Sequence, residues 1–273
     1  MHFISFVASE RRNGNCDLLG RLATRYAKES GADSSEVVYL KNYNIEQCRG
    51  CLSCVFEKTK CKINDDLYQL LDAIQKADRL LLIAPVYVLS VPGKLKMLLD
   101  RFLSAYDYLK DSYGKPAMSI GVAALNDWHQ FQLPLINLFL LSFGCHIVDS
   151  FIVYGAGPGE VLLEDRTAEL PVSIQKLIDY RRTAFQSHVS KHCPIDFSTL
   201  FERIEGTNYR CPVCLTPAKV AEDGYFFHAK DLNNHRWTTQ KIQNHYINWI
   251  VKTKPRFKSK FREILKKRKT FGL

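Results

Sequence analysis

Four cysteines fall within fourteen residues in Cys48-Arg-Gly-Cys51-Leu-Ser-Cys54-Val-Phe-Glu-Lys-Thr-Lys-Cys61. The first three recur every third residue, so a tight turn can present Cys48, Cys51 and Cys54 to one centre, and Cys61 folds back as a fourth ligand. Four thiolates around one centre suit a [4Fe–4S] cluster or a zinc held by four cysteines, and spacing alone does not choose between them. Structural zinc usually takes two separated Cys-x-x-Cys knuckles, whereas three cysteines in series followed by a fourth are more usual for clusters. A second pair, Cys211-Pro-Val-Cys214, is a knuckle of the zinc kind. It is followed by His228 and His235, a spacing near but outside the usual range for two cysteines and two histidines. His192 and Cys193 are further candidates, and the ligand set beyond Cys211 and Cys214 stays open. The plainer reading is a small hairpin turning at Glu222-Asp-Gly224, with histidines that are only polar surface.

Nine cysteines is an odd number, and the chain opens without a basic stretch or an apolar run of signal-peptide length, so we expect a cytoplasmic protein. There a tight cysteine cluster is more often a metal or redox site than a disulfide framework. With 46% hydrophobic and 24% charged residues, the 273-residue chain can bury a core of one large domain and something smaller. The net charge of +10 is local. Ten Lys or Arg stand against the single acid Glu263 between Lys252 and Lys269, and that stretch carries nearly all of it.

The elements that must position these residues alternate. "HFISFVA" reads as a buried strand, followed by a polar loop and a helix from about Cys16 to Ser30. "SSEVVYL" is a second strand. The cysteine loop follows, and Asn64, Asp65 and Asp66 open a helix through Ala77, where acids suit the helix dipole. "RLLLIAP" is a third strand; Pro92 opens the helix "PGKLKMLLDRFLSAY". "PAMSIGVAAL" and "HIVDSFIVYG" are the fourth and fifth strands, separated by the apolar helix "FQLPLINLFLLSF", and a last helix is expected from about Pro171 to Val189. Strands joined by helical crossovers predict an α/β doubly wound five-stranded parallel sheet, with ligands beyond the carboxyl ends of the strands.

The loop after the first strand, Ser9-Glu-Arg-Arg-Asn-Gly-Asn15-Cys16, sets two arginines, hydroxyl and amide donors and Gly14 before a helix N-terminus, a setting that favours an anion such as a phosphate. Its alternative is a solvated turn with Asn15 as helix cap. The loop after the third strand, "APVYVLSVPG", is apolar with Tyr87 in it and suits a flat ring, or packing alone.

These segments resemble the NADPH-dependent FMN reductase superfamily. "SERRNGNC" is similar to its Ser-x-Arg-x-x-Gly-Asn-(Ser/Thr) phosphate loop, "APVYVLSVPGKLKMLLDR" to its Pro-x-Tyr-x-x-Ser-x-x-x-x-Leu-Lys-x-x-x-Asp-Arg segment, and "CRGCLSCVFEKTKCKINDD" to the compact cysteine motif of its iron-sulfur flavoprotein branch. The resemblance covers roughly residues 1 to 190 and implies a flavodoxin-like fold with FMN. By position it implies that Ser9, Arg11, Gly14, Asn15 and Cys16 bind the FMN phosphate, and that Pro85, Val86, Tyr87, Val88 and Ser90 lie along the isoalloxazine. Cys16 departs from the pattern, which has a hydroxyl there. A flavin beside the cysteines favours the [4Fe–4S] reading, because the two cofactors together form an electron relay. The implied activity is that of an FMN-dependent oxidoreductase passing electrons between a reduced donor (ferredoxin or NAD(P)H), the cluster and an acceptor, in a homodimer or larger homo-oligomer.

We therefore expect an FMN-binding domain at 1–190, a small Cys/His hairpin module at 191–237 that holds zinc, and a basic amphipathic helical tail at 238–273. The alternative function is a redox-sensing protein that uses the tail and the module to bind nucleic acid or a protein partner. The tail's plainer role is packing, since Phe257, Phe261, Ile264 and Leu265 interleave with its charges.

Overall fold

The computed structural model describes residues 1–109 and 113–273. Five parallel strands form the first sheet: β1 (His2–Val7), β2 (Ser34–Tyr39), β3 (Arg79–Pro85), β4 (Pro116–Ala123) and β5 (His146–Tyr154), in the order β2-β1-β3-β4-β5. This is the flavodoxin-like order, with its switch point between β1 and β3. The crossovers are α1 (Asn15–Glu29), then α2 (Ser53–Phe56) and α3 (Leu67–Lys76), then α4 (Gly93–Asp100) and α5 (Phe102–Leu109), and α6 (Gln132–Ser142); α7 (Asp165–Ala168) and α8 (Leu170–Asp179) follow β5. Apolar residues of α1 and α8 cover one face of the sheet, and those of α3, α4, α5 and α6 the other. Burial on both faces explains why β3 reads as an unbroken apolar run rather than an alternating one.

A second, antiparallel sheet is built from β6 (His188–Ser190), β7 (Glu202–Glu205), β8 (Asn208–Arg210), β9 (Pro217–Ala221) and β10 (Gly224–Phe227), in the order β6-β10-β9-β8-β7. The hairpin expected to turn at Glu222-Asp-Gly224 is the β9–β10 pair. Its core is continuous with the first sheet's: Cys193, Ile195, Cys211, Cys214 and Phe227 belong to one buried cluster with Leu82, Leu95 and Phe139. Beneath that junction Asn137 on α6 accepts from Ser119 (2.6 Å) and donates to Ser150 (2.8 Å) and to the carbonyl of Asp196 (2.7 Å). The chain ends in α9 (Ala229–Leu232), α10 (Thr239–His245), one π-helical turn at Tyr246–Ile250 and α11 (Thr253–Thr270).

Two helices differ from the sequence expectation. The one expected to reach Val189 stops at Asp179, because Arg79 donates to the carbonyls of Leu177, Ile178 and Tyr180 and so satisfies the helix end. The chain beyond it is drawn out to pair β6 with β10. The helix opened by Pro92 is broken at Arg101, whose side chain is fully buried. Arg101 donates to Asp65 (2.6 Å) and to the carbonyl of Glu46 (2.9 Å), while Asp65 also accepts from the Glu46 N–H (2.9 Å). Next to it Asp66 accepts from the Asn44 N–H (2.7 Å) and donates its own N–H back to the Asn44 carbonyl (2.9 Å). Residues 44–46 and 65–66 are thereby stitched together, and the cysteine segment is the loop they close. Asp65 and Asp66, read from sequence as helix-start charges, are its clasp.

The tail divides in two. Ile242 and Tyr246 are buried with Val55 of α2 and Tyr106 of α5, and the rings of Tyr106 and Tyr246 stack at 3.6 Å. In α11, by contrast, no residue is buried.

Replacing Arg101 with Met would leave Asp65 enclosed without its partner, and the expected loss is about 3–5 kcal/mol of folding stability, measured by denaturant titration. Burial pushes the Asp65 carboxyl up, but Arg101 and the Glu46 N–H outweigh it and hold the group below its ordinary value. The pair's contribution is therefore complete above the ordinary aspartate pKa of about 3.9 and is lost as the pH falls through the lower folded value, so the gap between wild type and variant should narrow in acid.

Candidate functional site

The loop from Ser9 to Gly14 ends β1 and opens α1, so the first N–H groups of a 15-residue helix lack intrahelical partners at the point where Gly14 leaves room. A Cβ on Gly14 would lie 3.1 Å from the Cβ of Arg11. The side chains of Arg11 and Arg12 are exposed, and Ser9 and Cys16 are buried beneath them. Burial pushes the Cys16 thiol up to about 12, so it stays protonated and serves as a weak neutral donor. Asn15 does something the sequence did not reveal. Its amide donates to the carbonyls of Gly155 (2.9 Å) and Gly157 (3.0 Å) and accepts from the N–H of Gly159 (2.7 Å), tying the loop after β5 to the loop after β1. What Asn15 offers an anion is therefore its backbone N–H.

The loop after β3 is a tight turn in which Tyr87 and Ser90 exchange backbone hydrogen bonds, with Val88 (φ 48°) and Leu89 (φ 67°) both left-handed. A β-branched residue in that region is strained, at a cost on the order of 1–3 kcal/mol, and such strain clusters at ligand-holding sites. Val88 is 92% exposed and Tyr87 43%. They face the same rim as Leu125 and Trp128, which are also largely exposed. Gln132, buried at the start of α6, donates to the Ala84 carbonyl (3.0 Å), and the Phe131 N–H donates to the Leu89 carbonyl (3.0 Å), so the loops after β3 and β4 are joined. Tyr154 completes the ring of loops: it donates to Asn126 (3.0 Å) and bonds His129 (2.9 Å). A cationic helix N-terminus and an apolar rim on one edge of the sheet match a ligand with an anionic end and a flat ring. Gln132, Asn126 and Tyr154 carried no motif and were not legible as site residues.

On the same edge, the clasped loop holds the four clustered cysteines. Gly50 (φ 66°) and Leu52 (φ 56°) are left-handed around Cys51, and α2 follows. Cys48, Cys54 and Cys61 are half-buried and Cys51 is exposed. The Cys61 N–H donates to the hydroxyl of Tyr68 (2.7 Å). Hydrogen bonds from Ser53 lower the Cys51 thiol below its ordinary value.

Residues 1–157 match the model of the family described as NADPH-dependent FMN reductase. The chain belongs to this family. An iron-sulfur flavoprotein of Methanocaldococcus jannaschii is 38% identical over 157 residues, covering 57% of this chain and 76% of that protein. One of Methanosarcina thermophila is 28% identical over 141 residues, covering 47% of this chain and 72% of that one. The match to these relatives, with the cysteine motif, places the chain in the iron-sulfur flavoprotein branch. A solved flavone reductase superposes with a TM-score of 0.72 over 99% of this chain and 96% of its own at 18% identity, which establishes a shared fold through the C-terminal module as well. The protein is a flavin-dependent oxidoreductase.

In this flavoprotein the second cysteine pair is carried by the C-terminal module. Cys211 and Cys214 meet Cys193 and Asp196, all fully enclosed, with one ligand atom of each within 4.8 Å of the others. Enclosure pushes Asp196 up to about 8 and Cys193 above the thiol range. Of the histidines considered beside the knuckle, His228 is exposed, His192 stacks on Phe197, and His235 accepts from the Trp237 N–H (3.2 Å). None joins the cluster; Asp196, which the sequence reading passed over, does. A cavity of about 730 Å³ lies between α5 and the C-terminal helices, lined by Phe102, Trp237, Ile242 and Tyr246 among others, and takes no residue from the loops after β1, β3 and β4. No helix among the described residues is long and apolar enough to cross a membrane.

Changing Asn15 to Ala should leave two glycine carbonyls and one N–H in the loop at 155–159 without their partner, at a cost of about 1–3 kcal/mol. Hydrogen exchange should quicken at Gly159 while β1 and β3 keep their protection.

Proposed function

We propose that the chain binds FMN across the loops after β1, β3 and β4, holds a [4Fe–4S] cluster on Cys48, Cys51, Cys54 and Cys61, and moves electrons between a reduced donor, either NAD(P)H or a ferredoxin-like carrier, and an acceptor. The observation that carries this reading is the convergence on one sheet edge of a cationic helix N-terminus, an apolar rim and a clasped four-cysteine loop. Bound FMN exchanges electrons in pairs or singly and a cluster exchanges them singly, so together they link two-electron and one-electron partners.

The residues divide the work of binding and orientation. Ser9, Arg11, the protonated Cys16 and the backbone N–H groups of Gly14 to Cys16 supply donors for a phosphate. Pro85, Val86, Tyr87, Val88 and Ser90 give a turn whose strained backbone fixes the height of the apolar surface for the ring. The clasp formed by Arg101, Asp65 and Asp66 holds the ends of the cysteine loop, so the four thiolates need not pay the full entropy of closing it. Their sulfurs are not drawn into the tight shell seen at Cys193, Asp196, Cys211 and Cys214, and a cubane asks for less, because its thiolates sit on different irons. In this reading residues 1–190 carry both redox cofactors, and a second copy of the chain covers the exposed rim at Tyr87, Val88 and Trp128.

Two substitutions test the assignment together. Arg11→Ala should weaken FMN binding on the order of 10- to 100-fold, the worth of a charge-assisted bond to phosphate, without altering iron content. Cys54→Ser should remove or destabilise the cluster in anaerobically prepared protein while FMN is retained. Background iron in the wild type, or unchanged FMN affinity in Arg11→Ala, would refute the corresponding half.

Because α11 contributes nothing to the core, its charge is free to act at a distance, and an acidic protein donor is the partner it suits. Ending the chain after Lys252 should slow reduction by such a donor at low salt, with the effect fading as the ionic strength approaches physiological values, where the Debye length is about 8 Å. Dithionite reduction and the unfolding midpoint should be unchanged. A truncated protein that melts early would assign α11 a packing role.

A further inference from the structure

The two halves of the buried C-terminal cysteine group are copies of one turn. The first is Cys193-Pro-Ile-Asp196-Phe-Ser198, in which the Cys193 N–H donates to the Ser198 carbonyl (2.8 Å), the Phe197 N–H donates to the Cys193 carbonyl (2.8 Å), and Phe197 is left-handed (φ 57°). The second is Cys211-Pro-Val-Cys214-Leu-Thr216. There the Cys211 N–H donates to the Thr216 carbonyl (3.0 Å), the Leu215 N–H to the Cys211 carbonyl (2.9 Å), and Leu215 is left-handed (φ 62°). Residue by residue the two agree as Cys-Pro-(Ile/Val)-(Asp/Cys)-(Phe/Leu)-(Ser/Thr), so Asp196 stands where the second turn has Cys214. Non-glycine residues rarely adopt the left-handed conformation, and two apolar residues held in it at equivalent positions of two matching turns need a common cause.

The spacing identifies that cause as a single ion. Cys193 and Cys214 sulfurs are 3.3 Å apart, Cys193 lies 3.4 Å from Asp196 Oδ2, and Cys211 lies 3.1 Å from the same oxygen. A tetrahedral zinc with Zn–S bonds of about 2.3 Å sets its thiolates about 3.8 Å apart, so a small adjustment admits the metal, whereas a cubane cluster would force the four groups much further apart. We propose that Cys193, Asp196, Cys211 and Cys214 form a closed, mononuclear structural zinc site with three thiolates and one carboxylate. A backbone donor already faces the carboxylate: the Ser198 N–H bonds Asp196 Oδ1 at 3.0 Å. With no exposed ligand the site has no open position for a substrate, which makes its role structural rather than catalytic.

The site joins separate parts of the chain. On one side the Asp196 carbonyl accepts from Asn137, which is bonded to Ser119 on β4 and Ser150 on β5. On the other side the carbonyls of Cys214 and Val213 accept from the Arg236 N–H (3.0 Å) and the Trp237 indole (2.9 Å) just ahead of α10. Zinc at this point fastens the second sheet to α6 and sets the start of the helix that braces α2.

The experiment is metal analysis of the full chain, purified under reducing conditions, with three variants. Wild type should carry about one zinc per chain, Cys51→Ser should keep it, and Cys211→Ser should fall to background. Asp196→Cys should keep the zinc, and with cobalt(II) substituted for it the thiolate-to-metal charge-transfer intensity should rise by about a third, as three thiolates become four. This last variant preserves the site and so decides the matter even where Cys211→Ser does not fold. Background zinc in the wild type, iron held in its place, zinc retained by Cys211→Ser, or unchanged charge-transfer intensity in Asp196→Cys would each overturn the assignment. The zinc count does not depend on FMN, and the Cys51→Ser variant separates iron held at this site from iron held by the other cysteine loop.

Discussion

The enclosed ion pair of Arg101 and Asp65 is the constraint around which the redox end of the molecule is arranged. An arginine taken out of solvent is costly unless it is paired, and Arg101 places its terminal Nη donors on a carboxylate and a backbone carbonyl from opposite ends of the cysteine loop. That requirement breaks the helix after β3 into α4 and α5, closes the loop, and sets α2 over Tyr106. The arrangement costs desolvation of two charges. In return the cysteine segment has one geometry at its base.

From there the contacts pass to the C-terminus. Val55 of α2, Tyr106 of α5 and Tyr246 form one small cluster, and the segment carrying Tyr246 starts from the knuckle at Cys211 to Thr216. The second module is therefore more than an appendage: its anchoring point contacts α6 and its terminal helix contacts α2 and α5. The two cysteine groups differ in a way that matches two jobs. The group at Cys48 to Cys61 sits on an accessible loop after β2, with Cys51 exposed. The group at Cys193 to Cys214 is shut away and tied by backbone bonds, as suits an element that holds parts together.

Much of the first domain was legible because its signals are local. Runs such as Arg79 to Pro85 read as buried strands, Gly14 marks the start of α1, and the cysteine spacing needs no partner from elsewhere in the chain. Helix ends and side-chain partners were less so. The helix ending at Asp179 is stopped by Arg79, a hundred residues earlier, and Asn15 turned from the phosphate loop to the glycines after β5; no pattern within either segment records such partners.

The sequence by itself determined the α/β alternation, the order of the loops after β1, β2 and β3 with their arginines, cysteines and apolar residues, and the chemistry those residue types permit, since these follow from periodicity, composition and spacing along the chain. Only the tertiary structure decided that Asp65 is a clasp, that α11 stays outside the core while Tyr246 enters it, and that Asp196 rather than a histidine completes the second cysteine group. Those outcomes depend on which residues meet in space. An aspartate in a helix-start position or after a Cys-Pro pair looks the same in one dimension whether its partner is water, an arginine or three thiols.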